Sequence, residues 1–207
     1  MKPEDKPSLG NPAPSDPALT PVLAERWSPR AFSAEALSSE DLRALFEAAR
    51  WAPSCFNEQP WRFLVATADQ AEDHERLLGL LMEGNRSWAA EAPLLGIACA
   101  ATSFARNGKP NRHAAHDLGQ ALAHLSVEAT ARGLAVHQMA GFDAEGARER
   151  CGLPEGVEAF TAFVVGKPGD PDSLPEALAE RERAPRERKP RSELVFGSSW
   201  SEPSALD

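Results

Sequence analysis

The chain has 207 residues, 42% of them apolar and 26% charged, which is enough for one domain with a sizeable core. Its net charge of −9 argues against general nucleic-acid binding but leaves room for a local basic pocket, and no apolar run approaches the length of a membrane span. Three cysteines, Cys55, Cys99 and Cys151, are too few and odd in number for a disulfide framework, and the N-terminus lacks the basic-then-apolar pattern of a signal peptide, so a cytoplasmic, reducing compartment is expected.

Six of the eighteen prolines fall within residues 1–21, among few large apolar side chains. Such a segment buries too little surface to offset its ordering entropy. Residues 1–20 are therefore expected to form a flexible arm, and residues 21–207 a single domain with an extended C-terminal tail. In "ERWSPRAF", Arg26, Ser28 and Arg30 alternate, so an extended backbone puts two guanidiniums and a hydroxyl on one side. That is a good donor set for a phosphate; the plainer alternative is a solvated basic turn.

Ser38 or Ser39 caps a helix whose Leu42, Leu45, Phe46 and Ala49 share a face, and Pro53 stops it. "WAPSCFNEQPW" then sets Ser54, Cys55, Asn57 and Gln59 before Pro60-Trp61. Amide side chains that both donate and accept suit the edge of a flat heterocycle; a capped loop is the alternative. Cys55 has no histidine near it in sequence and is read as a small lining thiol rather than a nucleophile.

A strand is expected over 63–67, a helix over 70–82, and a buried strand at "LLGIACA", 94–100. The longest helical pattern runs over 113–132, with Leu118, Leu122, Leu125 and Ala129 on one face and Gly133 to end it. His113 and His116 are three apart on it, yet no set of further ligands accompanies them, and no metal site is expected. "LAVHQMAGF" reads as a strand turning at Gly141, followed by a short helix after Asp143. "AFTAFVVG", 159–166, is the strongest strand, and Ser173 is expected to cap a further helix with Pro175 in its first turn. In "RERKPR", Lys189 and Arg191 alternate around Pro190 and could form a second arm of the phosphate site, unless the segment is simply a solvated tail. Irregular alternation of strands and helices favours an α+β fold, a mixed sheet flanked by helices. No GxGxxG fingerprint, GxxxxGK[ST] loop or Gly-x-Ser-x-Gly elbow is present.

Taken in order, "RWSPRAF", "LRALFEAARWAPS", "NEQPWRFLV", "GNRSWAAEAPLLGIACA", "HDLGQALAHLSVEATARGL", "HQMAGF", "FVVGKPG" and "KPRSELV" resemble the nitroreductase family of FMN-dependent oxidoreductases. The resemblance spans about residues 20–196. It implies an intertwined homodimer with two FMN sites at the subunit interface. It implies that Arg26, Ser28, Arg30, Lys189 and Arg191 hold the FMN phosphate, with Trp27 close by. Pro53, Ser54, Cys55 and Asn57 would approach the flavin from the other subunit. Asn85 matches a position that touches the flavin, and Gln138, Met139, Ala140 and Gly141 match the segment beside the ring near N5.

The implied activity is transfer of hydride from NAD(P)H to a small-molecule acceptor, such as a nitroaromatic or quinone, by a ping-pong mechanism. The flavin carries the chemistry and no side chain is assigned as catalytic. A flavin-storage protein without turnover, or a flavin enzyme of dehalogenation or desaturation, is the alternative. Some family members have glutamate where this chain has Ala140. The segment 102–112 is short for a substrate-covering insertion, and tyrosine is absent.

Overall fold

The computed structural model describes residues 9–205. Four strands, β1 (Trp61–Thr67), β2 (Leu94–Ala101), β3 (Ala135–Met139) and β4 (Val157–Gly166), form one sheet in the order β1-β2-β4-β3. All three ladders are antiparallel, so the sheet is antiparallel where a mixed one was expected, and the fold is α+β.

Seven helices accompany it among the described residues: α1 (Pro21–Glu25), α2 (Ser39–Arg50), α3 (Ala71–Leu78), α4 (Glu83–Ala89), α5 (Ala114–Ala131), α6 (Ala144–Cys151) and α7 (Glu176–Arg183). Both sheet faces are covered, which explains why β2 reads as an unbroken apolar run rather than an alternating one. Leu95, Ile97 and Cys99 face one cluster with Leu77, Trp88 and Val164. Leu94, Ala98 and Ala100 face the other, with Leu45, Leu118, Leu125 and Phe163. Gly96 lies directly opposite Phe163 in the ladder, and a Cβ there would stand 2.4 Å from the Phe163 ring. The glycine makes room for the aromatic side chain of its own partner.

Ser38 caps α2 as expected, its Oγ accepting from the Asp41 N–H at 3.0 Å. The helix expected over 70–82 divides. Gly79 closes α3, Leu80 and Leu81 turn into the core, and α4 begins at Glu83. Before α7 the capping position is Pro175; Ser173 instead lies in a short 3-10 turn capped by Asp170. Residues 9–20 lie against the domain. The Ala13 N–H donates to the Ala24 carbonyl at 2.8 Å, and the Trp27 indole donates to the Leu9 carbonyl at 2.8 Å. The start of the expected arm, residues 1–8, lies outside the described residues.

Candidate functional site

Three groups of residues carry the expected site. The first is the segment after α1. Arg26, Trp27, Ser28 and Arg30 line one hollow of about 240 Å³, joined there by Arg181, Arg186 and Arg188. Backbone anchors hold this segment in place. The Glu182 carboxylate is buried and accepts from the N–H of Arg30 at 2.7 Å and of Ala31 at 3.0 Å. His137 on β3 donates from Nδ1 to the Pro29 carbonyl at 2.8 Å, and its ring packs 4.6 Å from that of Trp88. Burial lowers the His137 pKa, which favours the neutral, donating ring.

The guanidiniums crowd one another. Arg26 has its pKa lowered, first by burial and then by the charge of Arg188. Arg186 is lowered by burial, by Arg26 and by Arg188. Arg186 also ties three segments together, donating to the carbonyls of Asn11 at 2.9 Å and Ala24 at 2.8 Å. Among the described residues, Arg26, Arg30 and Arg188 form no ion pair. Positive charge gathered this way in an acidic chain is stabilised by an anion.

Lys189 and Arg191, expected on the same phosphate, do not line this hollow. They line an adjoining one of about 840 Å³, whose wall they share with Arg26, Arg186 and Arg188. In an extended chain a one-residue step reverses the side on which a residue lies, so Arg186 and Arg188 take the place assigned to Lys189 and Arg191.

The second group is the turn after β3. Gln138 and Ala140 are exposed, while Met139 turns into the core and its carbonyl accepts from Thr161 Oγ1 at 2.9 Å. Asn85 on α4 donates from Nδ2 to the Gly141 carbonyl at 3.0 Å, where the Met82 N–H also donates at 3.0 Å. A Cβ on Gly141 would stand 2.7 Å from Asn85 Nδ2. Gly141→Ala is therefore expected to push Asn85 away and to cost about 1 kcal/mol through that hydrogen bond. A double-mutant cycle by urea unfolding checks this. Once Asn85→Ala is in place, Gly141→Ala should cost little more.

The third group is the loop after α2. Phe56, Asn57 and Gln59 have φ of 54°, 57° and 50°, a left-handed conformation that non-glycine residues adopt only under constraint. The constraint comes from α5 and from within the loop. Buried Asp117 accepts from the Cys55 N–H through Oδ2 at 3.0 Å. Gln120 Nε2 reaches the Pro53 carbonyl at 3.5 Å, and Ser54 Oγ accepts from the Gln59 N–H at 3.0 Å. Asn57 is exposed, and Phe56 is 72% exposed under the Arg106 guanidinium. Among the described residues no hydrogen bond joins this loop to either of the other two groups. His113 and His116 gather no metal-binding cluster among the described residues.

An α+β domain with an antiparallel sheet, an arginine-lined hollow at one end and a strained polar loop held by its longest helix defines the class. The sequence profile of the Nitroreductase family matches residues 23–167, and the chain belongs to that family. A Streptomyces griseus protein provisionally named NADH dehydrogenase/NAD(P)H nitroreductase is 30% identical over 175 residues, covering 75% of this chain and 88% of its own. An uncharacterized 15.4 kDa protein of Mycolicibacterium smegmatis is 40% identical over 137 residues, covering 66% of this chain and 90% of its own. A crystal structure described as an oxidoreductase containing FMN is similar with a TM-score of 0.86 and 33% identity, over 92% of this chain and 96% of that one. A nitroreductase family protein of Clostridium difficile shares the fold with a TM-score of 0.66 over 86% of this chain and 96% of that one, at 24% identity.

Proposed function

We propose that this protein is an FMN-dependent oxidoreductase that uses NAD(P)H to reduce a small electron-poor acceptor such as a nitroaromatic or quinone. The observation that carries the reading is the arginine-lined hollow of Arg26, Arg30, Arg181 and Arg188 in a chain of net charge −9. Its donor set fits a phosphate monoester, because guanidiniums offer forked, charge-assisted hydrogen bonds. Family membership and the FMN-containing neighbour support the cofactor, and the names of relatives support the nicotinamide donor.

FMN, when bound, would supply the chemistry of taking up hydride and passing it on. The chain's own residues would position the reactants. Arg26, Ser28 and Arg30 would hold the phosphate, and Glu182 keeps their backbone in place. Asn85 and Gly141 would present a fixed edge of backbone and amide groups beside the ring, with Gln138 and Ala140 flanking them. Pro53, Ser54, Cys55 and Asn57 would complete the wall from a second subunit. The exposed face of α5 carries Ala115, Gly119 and Ala123, and a Cβ on Gly119 would meet nothing within the chain. The exposed Leu194, Val195 and Trp200 of the tail also favour assembly as a homodimer. Cytoplasmic placement agrees with free cysteines and with the absence, among the described residues, of any helix able to cross a membrane.

The freshly purified protein is expected to be yellow, to release FMN on denaturation, and to scatter light as a dimer. It should oxidise NADH or NADPH in the presence of a nitroaromatic or quinone, with the parallel double-reciprocal lines of a ping-pong reaction. A colourless protein that binds no added FMN would overturn the reading. Tight FMN without turnover of any acceptor would make it a storage protein instead.

A further inference from the structure

The larger hollow has more positive charge than one FMN phosphate requires. It lies between the segment at residues 13–23 and the tail at 186–191. Five cations line it, Arg26, Arg186, Arg188, Lys189 and Arg191, against two carboxylates, Asp16 and Glu187. Arg26, Arg186 and Arg188 also line the smaller hollow, so the two spaces share a wall. Arg30 and Arg181 belong to the smaller hollow alone; Lys189 and Arg191 belong to the larger alone.

Little in the chain neutralises that second pair. Lys189 stands 3.7 Å from Glu193, both exposed, a contact worth little in water. Arg191 places Nη1 on the Asp16 carbonyl at 2.9 Å, which uses one of its five donors and leaves its charge in place. Leu19 and Leu23 line the same hollow and are half exposed, so a cationic wall adjoins an apolar one. A flat aromatic base that carries a phosphate matches both walls. The base can lie on leucine side chains or stack against a guanidinium, while the phosphate takes the lysine and arginine. The volume of about 840 Å³ falls within the range of nucleotide-sized sites.

We propose that this larger hollow binds the phosphorylated adenosine half of a dinucleotide, beside the phosphate of FMN. The inference rests on the FMN reading above. Two sources share the chemistry. One is flavin adenine dinucleotide, whose adenylate continues from the position of the FMN phosphate. The other is NADPH, whose adenosine carries a 2′-phosphate.

Fluorescence titration of the dimer tests it. FMN and flavin adenine dinucleotide are titrated into apo-protein, and 2′,5′-ADP and 5′-AMP into the FMN-loaded protein. Either flavin adenine dinucleotide binds more tightly than FMN, which identifies the first source, or 2′,5′-ADP binds beside FMN and more tightly than 5′-AMP, which identifies the second. In both cases Lys189→Ala with Arg191→Ala should weaken the adenosine ligand about tenfold or more and leave the FMN dissociation constant unchanged. Because Arg191 also braces the segment at Asp16, Lys189→Ala alone is measured as well and should act in the same direction.

FMN bound normally with neither adenosine arm positive overturns this inference and leaves the FMN reading intact. A fall in FMN affinity equal to that of the adenosine ligand also overturns it, because it would put Lys189 and Arg191 on the FMN phosphate. Failure of wild-type protein to bind FMN at all is a different result and removes both.

Discussion

Replacing Arg26 and Arg30 together by alanine is expected to weaken FMN about a hundredfold or more while riboflavin binding stays nearly unchanged, since each charge-assisted hydrogen bond contributes roughly 1.5–3 kcal/mol. Riboflavin shares the ring and lacks the phosphate, so the comparison isolates the phosphate contacts. Both guanidiniums line the hollow with Ser28, and neither forms an ion pair among the described residues. The Arg30 backbone N–H is held by Glu182 whatever side chain the residue carries.

Stability should move little, or upward, in the apo-protein. The folded state carries the Arg26 charge at a cost, because burial and Arg188 both lower its pKa. Removing that charge relieves the repulsion among Arg26, Arg186 and Arg188. The pattern to look for is thus a large loss of FMN affinity in a protein that melts no lower than wild type. Equal losses for FMN and riboflavin would mean that the two arginines act through the fold. Unchanged FMN affinity would return "ERWSPRAF" to a solvated basic turn. Lys189 and Arg191 provide the contrast, since FMN affinity is expected to survive their removal.

What could be read from the sequence was local. Ser38 is followed three residues later by Asp41, and that spacing is enough to place the cap. The alternation of Arg26, Ser28 and Arg30 depends only on an extended backbone, and the three line one hollow. The unbroken apolar run of β2 marks a strand covered on both faces, and it is covered on both faces.

What escaped reading was set by distant partners. Glu182 holds the Arg30 N–H across 152 residues of sequence, and Asp117 holds the Cys55 N–H across 62. Nothing local distinguishes these carboxylates from the many others in an acidic chain. Burial does so, and burial belongs to the folded state. The tail failed for a different reason. "RERKPR" offers two alternating pairs, and which pair faces the FMN hollow depends on a one-residue register that the residues themselves do not fix. The helix expected over 70–82 broke for a tertiary reason too. Leu81 pairs with Phe142, and the Met82 N–H is taken by the Gly141 carbonyl, so this stretch is pulled out of helical geometry toward the turn after β3.

Asp117→Ala should release the loop that carries Pro53, Ser54, Cys55 and Asn57. The side chain is buried in α5 and accepts from the Cys55 N–H through Oδ2, while Oδ1 lies 3.2 Å from His116 Nδ1. Loss of a buried, charge-assisted bond costs about 1.5–3 kcal/mol and leaves the Cys55 N–H without its acceptor. The loop also stores strain, of order 1 kcal/mol or more for each of its three non-glycine residues at positive φ, Phe56, Asn57 and Gln59. Once its main tie to α5 is cut, that strain favours opening.

Two consequences follow together. The urea midpoint of the apo-protein should fall, and FMN should be retained less well on dialysis, because the loop would no longer present its polar wall to the cofactor. Asp117→Asn keeps an acceptor oxygen where the Cys55 N–H points and should recover most of both properties. If Asp117→Ala lowered stability yet left FMN retention and its rate of release unchanged, the loop would serve the fold alone. If the alanine protein melted and bound FMN like wild type, the strained turn would be held by Ser54, Gln59 and Gln120 without help from the helix. The asparagine variant separates these cases from a general loss of packing in α5, since it preserves the volume of the side chain and changes only its charge.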